Sequence, residues 1–511
     1  MNLTIMIADN KKGMVINMAD ILQFARPEEM GVHPGLIADY VREMNARRKM
    51  CHSFLMMRHG KVIAEGYWKP FHKDWLHRMY SVSKTFVSAA IGMLCDEGKI
   101  SLNDKIADYF PDKLPENPHP YIMEMTIRDM LMMATCHKYN TYNGNDMDWL
   151  HTFFNPHHEP DHRAGTEFRY DTSGTYTLDV LVERITGKDF LTYLKDKYLR
   201  EVGFSEDAWC VEAPEGYAWG GSGVECTTRD MARFALLFTQ NGVVGGKRYL
   251  SEEYVREATS KQIDNAGANG DNGVTGFGYG YKIWRGWHNS YCFLGMGGQL
   301  VICIPDRDFV FCCTGDMQGD ADGYDVPINH VLWDTVIDKM SDEAVESDDA
   351  AYEELGKLLD SIEVNVPAGE KTSPLAEKIS GRRYALGENR MGMTGFTVTF
   401  EGDGGKVVYE TPRGEKEFCF GSGRYEDTFF PETHYSGRRI NTPLGREYRC
   451  LNAAVWLEEN KLLVRSYVID DYFGNMAAVF TFDEDRVSLD ITKTAEWFMD
   501  EYPGHAEGKA E

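Results

Sequence analysis

The stretch 79-MYSVSKTFVSAAIGMLCDEGKI-100 sets two serines and a lysine in front of an apolar run. Phe86, Val87, Ala90, Ile91 and Leu94 recur at three- and four-residue steps, which predicts a helix with a buried face. Ser81 then falls near the helix N-terminus, with Lys84 one turn further along the same side. An isolated S-x-x-K is ordinarily a serine cap followed by a solvated lysine. The same four residues can also form a nucleophile with its base. A serine hydroxyl is a poor nucleophile until a neighbour takes its proton, and a lysine kept largely neutral by burial can do so. Backbone N–H groups at the helix start can hold a developing oxyanion. The remainder of the chain decides between the two readings.

At 511 residues the chain is too long for one ordinary core, so two or three domains are expected. Hydrophobic residues at 43% and aromatics at 12% are ample for packed interiors. Lys+Arg 54 against Asp+Glu 80 gives a net charge of −26, a surface that repels nucleic acid and anionic membrane alike. The opening MNLTIMIADNKKGMVINMAD places its lysines after a short apolar patch, the wrong order for a secretory signal. No run reaches the roughly 18 apolar residues of a membrane helix. The eleven cysteines show no C-x-x-C pair and no regular spacing, which fits reduced, mostly buried thiols. These signs together point to a cytoplasmic protein. Metal-ligand spacing is absent too: His157, His158 and His162 lie in a polar loop without an H-E-x-x-H arrangement and read as surface residues. No metal and no cofactor is expected.

Residues 52–70 read as a hairpin turning at His59-Gly60. Helical patterns dominate from 100 to about 260, among them 126–135, 176–187 and 227–242, the last capped by Thr227 or Thr228 and ended by Gly242. Strands resume at 278–286, 291–305 and 308–315, and a helix follows at 328–340. Helices set between early and late strands of one sheet give an α+β domain: an antiparallel sheet flanked by helices, with an all-α insertion. Residues 341–363 carry nine acidic residues against one lysine, an acidic helix leading to a linker. Beyond 375 the segments 396–400, 406–410, 461–469, 477–482 and 486–491 alternate at period two, a smaller antiparallel β domain shaped as a curled sheet or barrel. The expected organisation is an N-terminal extension (1–24), the α+β domain (25–340), an acidic helix and linker (341–374) and the β domain (375–511).

The stretch 80–112 resembles the class C β-lactamase and penicillin-binding-protein-like serine hydrolases, a likeness carried by S-V-S-K, E-G-K-I-S-L-N-D and the later TIRDML (126–131). RAGTEFRYDTSGTYTLDVLVERITG (163–187), GGSGVECTTRDMARFALL (220–237), FGYGYKIW (277–284) and LGMGGQLVICIPDRDFVF (294–311) follow in the family's order, so the resemblance covers roughly residues 25–340. It implies Ser81 as the acylated nucleophile, Lys84 as base and Tyr170 as proton relay. It also places the family's third motif at Phe293-Leu294-Gly295-Met296, on an edge strand beside the nucleophile. The Met296 N–H would complete an oxyanion hole with that of Ser81, and Gly295, Gly297 and Thr172 would border the substrate.

Two departures bear on the substrate. The family's Y-x-N reads Tyr170-Asp171-Thr172, a hydroxyl in place of an amide, and its K-T-G reads Phe293-Leu294-Gly295, without cation or hydroxyl. Losing a charge-assisted partner costs about 1.5–3 kcal/mol of recognition, so efficient β-lactamase action is disfavoured. The expected activity is a serine hydrolase acting on a small-molecule ester, amide or peptide through an acyl-enzyme. The alternatives are a β-lactamase or DD-peptidase-type activity, and a catalytically silent binding protein. The β domain, without a catalytic signature, is available for covering the active-site mouth or for homo-oligomer contacts.

Overall fold

The structure is a computed structural model describing residues 21–511 apart from 144, 267–272, 319, 321–322, 324, 434–444, 471–472 and 495–498. Most of the expected N-terminal extension therefore lies outside the described residues.

The first hairpin forms as read. Strands Cys51–Arg58 and Lys61–Tyr67 are joined at His59 and Gly60, both at positive φ (50° and 70°), as a tight two-residue hairpin turn requires. Cys51–Arg58 is the third strand of a sheet that has seven strands among the described residues. Its order is Gln23–Phe24, Lys61–Tyr67, Cys51–Arg58, Phe309–Gly315, Gln299–Ile304, Tyr291–Gly295 and Trp284–Arg285, antiparallel except for the first pair. All eight residues of Cys51–Arg58 are buried because both faces are covered. Leu55 and Met57 join the apolar cluster around the 83–96 helix, while Phe54 and Met56 join a second cluster with the helix Pro34–Ala46. A strand buried on both faces reads as an unbroken apolar run rather than an alternating one, which is why CHSFLMM lacks a polar side.

The helix of the opening stretch spans Ser83–Asp96 and is entered through a 3₁₀ turn, Tyr80–Val82. Its burial exceeds the single face that its spacing predicts: every residue from Ser83 to Leu94 is buried. The helix is enclosed by Thr172–Thr186, Phe190–Lys197 and Thr228–Thr239. Phe86 lies flat on Phe234, ring centroids 3.7 Å apart and 7° between planes. Gly92 leaves room for Tyr254, whose ring would stand 2.6 Å from a β-carbon there. The Tyr254 hydroxyl, 3.0 Å from Ser88 Oγ, satisfies one of the helix's few polar side chains. Thr227 caps Thr228–Thr239 through a capping box with Asp230.

Two segments depart from their expected form. Only Trp284–Arg285 of the 278–286 stretch is a strand. Gly278 at φ 112° and Lys282 at φ 59° turn the chain away from the sheet. The Lys282 backbone instead donates to Leu131 O and accepts from Thr85 Oγ1. The 291–305 stretch is a hairpin, Tyr291–Gly295 and Gln299–Ile304, turning through Gly297 and Gly298 at φ 80° and 103°. Tyr291–Gly295 is next to last in the sheet, although beyond Cys292 its outer side has no strand partner in the described ladder.

The acidic helix, Asp349–Ser361, packs on Pro34–Ala46 and on Lys61–Tyr67. Beyond it, ten strands form one sheet, and parallel pairing of Gly421 and Ser422 with Ala453 and Ala454 closes nine of them into a barrel. Phe396, Phe418, Phe480 and Leu489 are among the residues that fill it. The period-two segments are five of these strands. The others, Arg383–Leu386, Gly414–Ser422, Glu426–Phe430, Tyr448–Glu458 and Gly504–Ala510, carry polar residues or glycine that blur alternation. Leu451 and Ile469 of the barrel belong to the same apolar cluster as Pro34–Ala46, so the two parts share a core.

Removing the Phe86 ring tests the enclosure of the 83–96 helix. Phe86→Ala should cost about 3–5 kcal/mol, read as a lower denaturant midpoint of the catalytic unit; a midpoint within error of wild type would contradict the packing described.

Candidate active site

Ser81 sits in the 3₁₀ turn and Lys84 in the first turn of the helix it leads into. Lys84 is 1% exposed. Its Nζ lies 2.9 Å from Ser81 Oγ and 2.6 Å from the carbonyl oxygen of Gly221. Gly221 arrives from a turn held by the Thr172–Thr186 helix: Gly220 N donates to the buried Asp179 carboxyl at 2.7 Å. Burial pushes that carboxyl well above its ordinary range. A β-carbon on Gly221 would lie 2.4 Å from the methyl of Thr172, so the carbonyl reaches the amine only from a residue without a side chain.

Tyr170 closes the group. Lys84 Nζ stands 5.1 Å from its ring centroid, and its hydroxyl is within hydrogen-bonding reach of Ser81. Tyr170 is 40% exposed, and its ring lies along Trp284, centroids 5.4 Å apart. Burial pushes that phenol up to about 12, the contact with Ser81 pulling the other way. At neutral pH it is a neutral O–H group, able to donate as well as accept.

The residue before Ser81 is strained. Tyr80 has φ 46°, a left-handed conformation that costs a non-glycine residue about 1–3 kcal/mol unless its surroundings fix it. Arg78 lies 4.5 Å from the Tyr80 ring centroid and donates to the carbonyl and hydroxyl of Ser222 at 3.0 and 3.1 Å. Met79 N bonds Val224 O at 2.7 Å. On the other side the strand Tyr291–Gly295 runs against the turn, and a β-carbon on Gly295 would come within 2.3 Å of Met79 O. Met296 and Gly297 follow in the glycine turn. That turn is locked by the buried amide of Gln299, which donates to Met296 O (2.8 Å) and Gly315 O (2.9 Å) and accepts from Gly315 N (3.1 Å).

The fold thus brings Ser81, Lys84 and Tyr170 together, sets Gly295 against the turn that carries Ser81 with Met296 and Gly297 beyond it, and turns Thr172 toward Gly221. Sequence reasoning did not single out Gly221, Trp284, Gln299 or Lys282. The G-G-S-G run was a usable signal for the first; nothing local marks the others. Lys282 is 2% exposed, and its Nζ contacts Met133 Sδ at 3.3 Å. Met133 also takes the N–H of Asp171, directly after Tyr170. Burial lowers the Lys282 amine to about 7, the Asp171 carboxylate opposing the shift.

The sequence profile of the Beta-lactamase family matches residues 37–314, more than half of the chain. The chain belongs to the Beta-lactamase family. A 6-aminohexanoate-dimer hydrolase of Paenarthrobacter ureafaciens is 27% identical over 250 residues, 45% of this chain and 63% of that protein. The match therefore spans less than two thirds of that relative's length. Among solved structures, a candidate β-lactamase from Bacteroides dorei DSM 17855 is 18% identical with a TM-score of 0.50, over 60% of this chain and 98% of that one. That likeness shows the fold.

Lys282 gives a prediction with a definite sign. Its amine is depressed in the folded chain, so below about pH 7 folding buries a charge, and that penalty fades as pH rises toward the unfolded value. Lys282→Met should therefore be more stable than wild type at pH 6. Its advantage should shrink between about pH 7 and 10, measured as the difference in unfolding midpoint; a pH-independent difference would contradict the buried amine.

Proposed function

We propose that the protein is a serine hydrolase that cleaves an ester or amide of a small-molecule substrate through an acyl-enzyme on Ser81. The observation that carries this reading is the buried Lys84 amine shared between Ser81 Oγ and Gly221 O. In its neutral form that amine accepts the hydroxyl proton as Ser81 attacks the carbonyl carbon. The N–H groups of Ser81 and Met296 would receive the oxyanion. The neutral Tyr170 phenol hands a proton to the leaving group and is replenished from Lys84; water then enters, and the same groups run in reverse to release the acid. Because the phenol titrates near 12, Lys84 rather than a tyrosinate is the base in this scheme.

The pocket side of the proposal follows from Phe293-Leu294-Gly295. No cationic side chain stands there to pair with a carboxylate, which favours uncharged acyl groups over β-lactam drugs. The relative named a 6-aminohexanoate-dimer hydrolase makes a linear amide a substrate class to test beside simple esters.

Incubation with a fluorophosphonate probe and a short-chain p-nitrophenyl ester tests the scheme. Ser81→Ala should lose labelling and turnover, and Lys84→Met should lose at least about a thousandfold in kcat. Labelling that persists unchanged in Ser81→Ala would sink the reading. Hydrolysis of a chromogenic cephalosporin at a rate rivalling the ester would overturn the substrate preference.

Tyr170→Phe should lose about 10²–10⁴ in kcat. The wild-type rate should show no alkaline fall from this phenol below about pH 10. An ionisation near neutrality that vanishes in Tyr170→Phe would make tyrosinate the base instead.

A further inference from the structure

Lys282 is buried beside the segment that carries Tyr170 and has no part in the scheme above. Its Nζ lies 3.3 Å from the sulfur of Met133. Met133, itself wholly buried, meets the chain on both sides of Tyr170: its carbonyl oxygen accepts from Arg169 N at 2.7 Å and its sulfur from Asp171 N at 3.4 Å. Lys282 is fixed in turn through its backbone, whose N–H donates to Leu131 O at 3.0 Å and whose carbonyl accepts from Thr85 Oγ1 at 3.0 Å. Thr85 follows Lys84 on the helix Ser83–Asp96. Two residues beyond Lys282, Trp284 lies along the Tyr170 ring. Met133 (φ 58°) and Lys282 (φ 59°) are both left-handed, a state that residues other than glycine keep only where their contacts fix it. Core filling alone does not account for this arrangement. A thioether is a weak acceptor, and an apolar side chain in place of the amine would fill the same space without the cost of burying a polar group. Polar groups kept in a core at the expense of stability belong to functional sites.

We propose that Met133 and Lys282 are positioning residues for Tyr170: Met133 grips the chain on either side of the tyrosine, and Lys282 fastens the Met133 sulfur to the helix that carries Lys84. The proposal rests on the reading in which Tyr170 hands a proton to the leaving group. Tyr170 and Lys84 come from separate elements, yet the amine stands 5.1 Å from the ring centroid. The route from Asp171 N through Met133 Sδ and Lys282 to Thr85 Oγ1 sets that spacing from behind, where no substrate reaches. With the sulfur contact gone, the phenol shifts relative to the leaving-group atom, while Ser81 and Lys84 keep their own bond. The Asp171 carboxyl is held separately by Thr135 Oγ1 at 2.9 Å, so the segment stays folded when that contact is lost.

The test compares two esters of one acid, p-nitrophenyl butyrate and ethyl butyrate, on the full-length protein. The p-nitrophenolate leaves without a proton, whereas the ethoxide must be protonated as it departs. For both, kcat/KM covers acylation and leaves out the shared deacylation. Tyr170→Phe should lower kcat/KM about 10–100-fold more for the ethyl ester than for the p-nitrophenyl ester. Met133→Leu keeps the volume and removes the sulfur, and Lys282→Met removes the amine. Each should move the ratio of the two values the same way by about 3–10-fold. Neither should move it further in a Tyr170→Phe background, since both act through the phenol. Variants that slow both esters equally, with the ratio held at the wild-type value, would show packing alone and overturn the proposal while Tyr170 keeps its role. A Tyr170→Phe ratio equal to wild type, or turnover of neither ester, removes the proton-donor reading itself and the proposal with it. Were Met133→Leu to melt early, Lys282→Met decides alone: a wild-type ratio in it overturns the proposal.

Discussion

A primary amine taken almost wholly out of water governs the rest of this molecule. Burying a charge in apolar surroundings is costly unless it is paired or neutralised, and Lys84 is enclosed on a helix with no solvated face. Its environment answers with two oxygens at bonding distance and the face of a tyrosine ring. Each of these imposes its own condition. The Gly221 carbonyl needs a side-chain-free turn, and that turn needs Asp179 behind it. The ring of Tyr170 needs Trp284 to lie against. Ser81 needs Tyr80 in a conformation that a tyrosine does not choose unaided.

These conditions explain which parts could be read along the chain and which could not. The S-x-x-K spacing, the His59-Gly60 turn and the Thr227 cap are local, since partners lie within four residues of one another, so the helix, the hairpin and the cap are legible. Tyr170 became legible only through the order of motifs. Gly221 meets Lys84 across 137 positions, a contact that no periodicity announces. Lys282 misleads in the opposite direction. Its flanking aromatics suit a strand, but tertiary bonds to Leu131 and Thr85 take its backbone off the sheet. In the barrel, glycine and charged residues break the alternation of strands such as Gly414–Ser422 and Gly504–Ala510, whereas Cys450–Trp456 is buried throughout and so shows none.

The departures from the family's pattern separate what geometry demands from what recognition demands. At 293–295 the cation and the hydroxyl are gone, yet the glycine stays, because a β-carbon there would collide with the Met79 carbonyl. Thr172 makes the same point: in the place of an amide, its methyl fills the space that the missing side chain of Gly221 leaves. Steric fit around Ser81 is intact while charge complementarity to an anion is not. A site altered in that way retains its packing around Ser81 while the groups available to meet a ligand are changed.

The strain at Tyr80 extends the same argument to neighbouring elements. A left-handed tyrosine persists only when several contacts fix it together, and those at hand come from separate elements: Arg78 beneath the ring, the strand ending at Gly295, and Gln318 at the hydroxyl. Gln318 in turn donates to the buried Asp316 carboxyl. Leu451 and Ile469 of the barrel belong to the same apolar cluster as Pro34–Ala46, so the packing behind the sheet is shared by both parts. The placement of one hydroxyl is therefore a property of several separate elements rather than of the four residues that first draw attention to it.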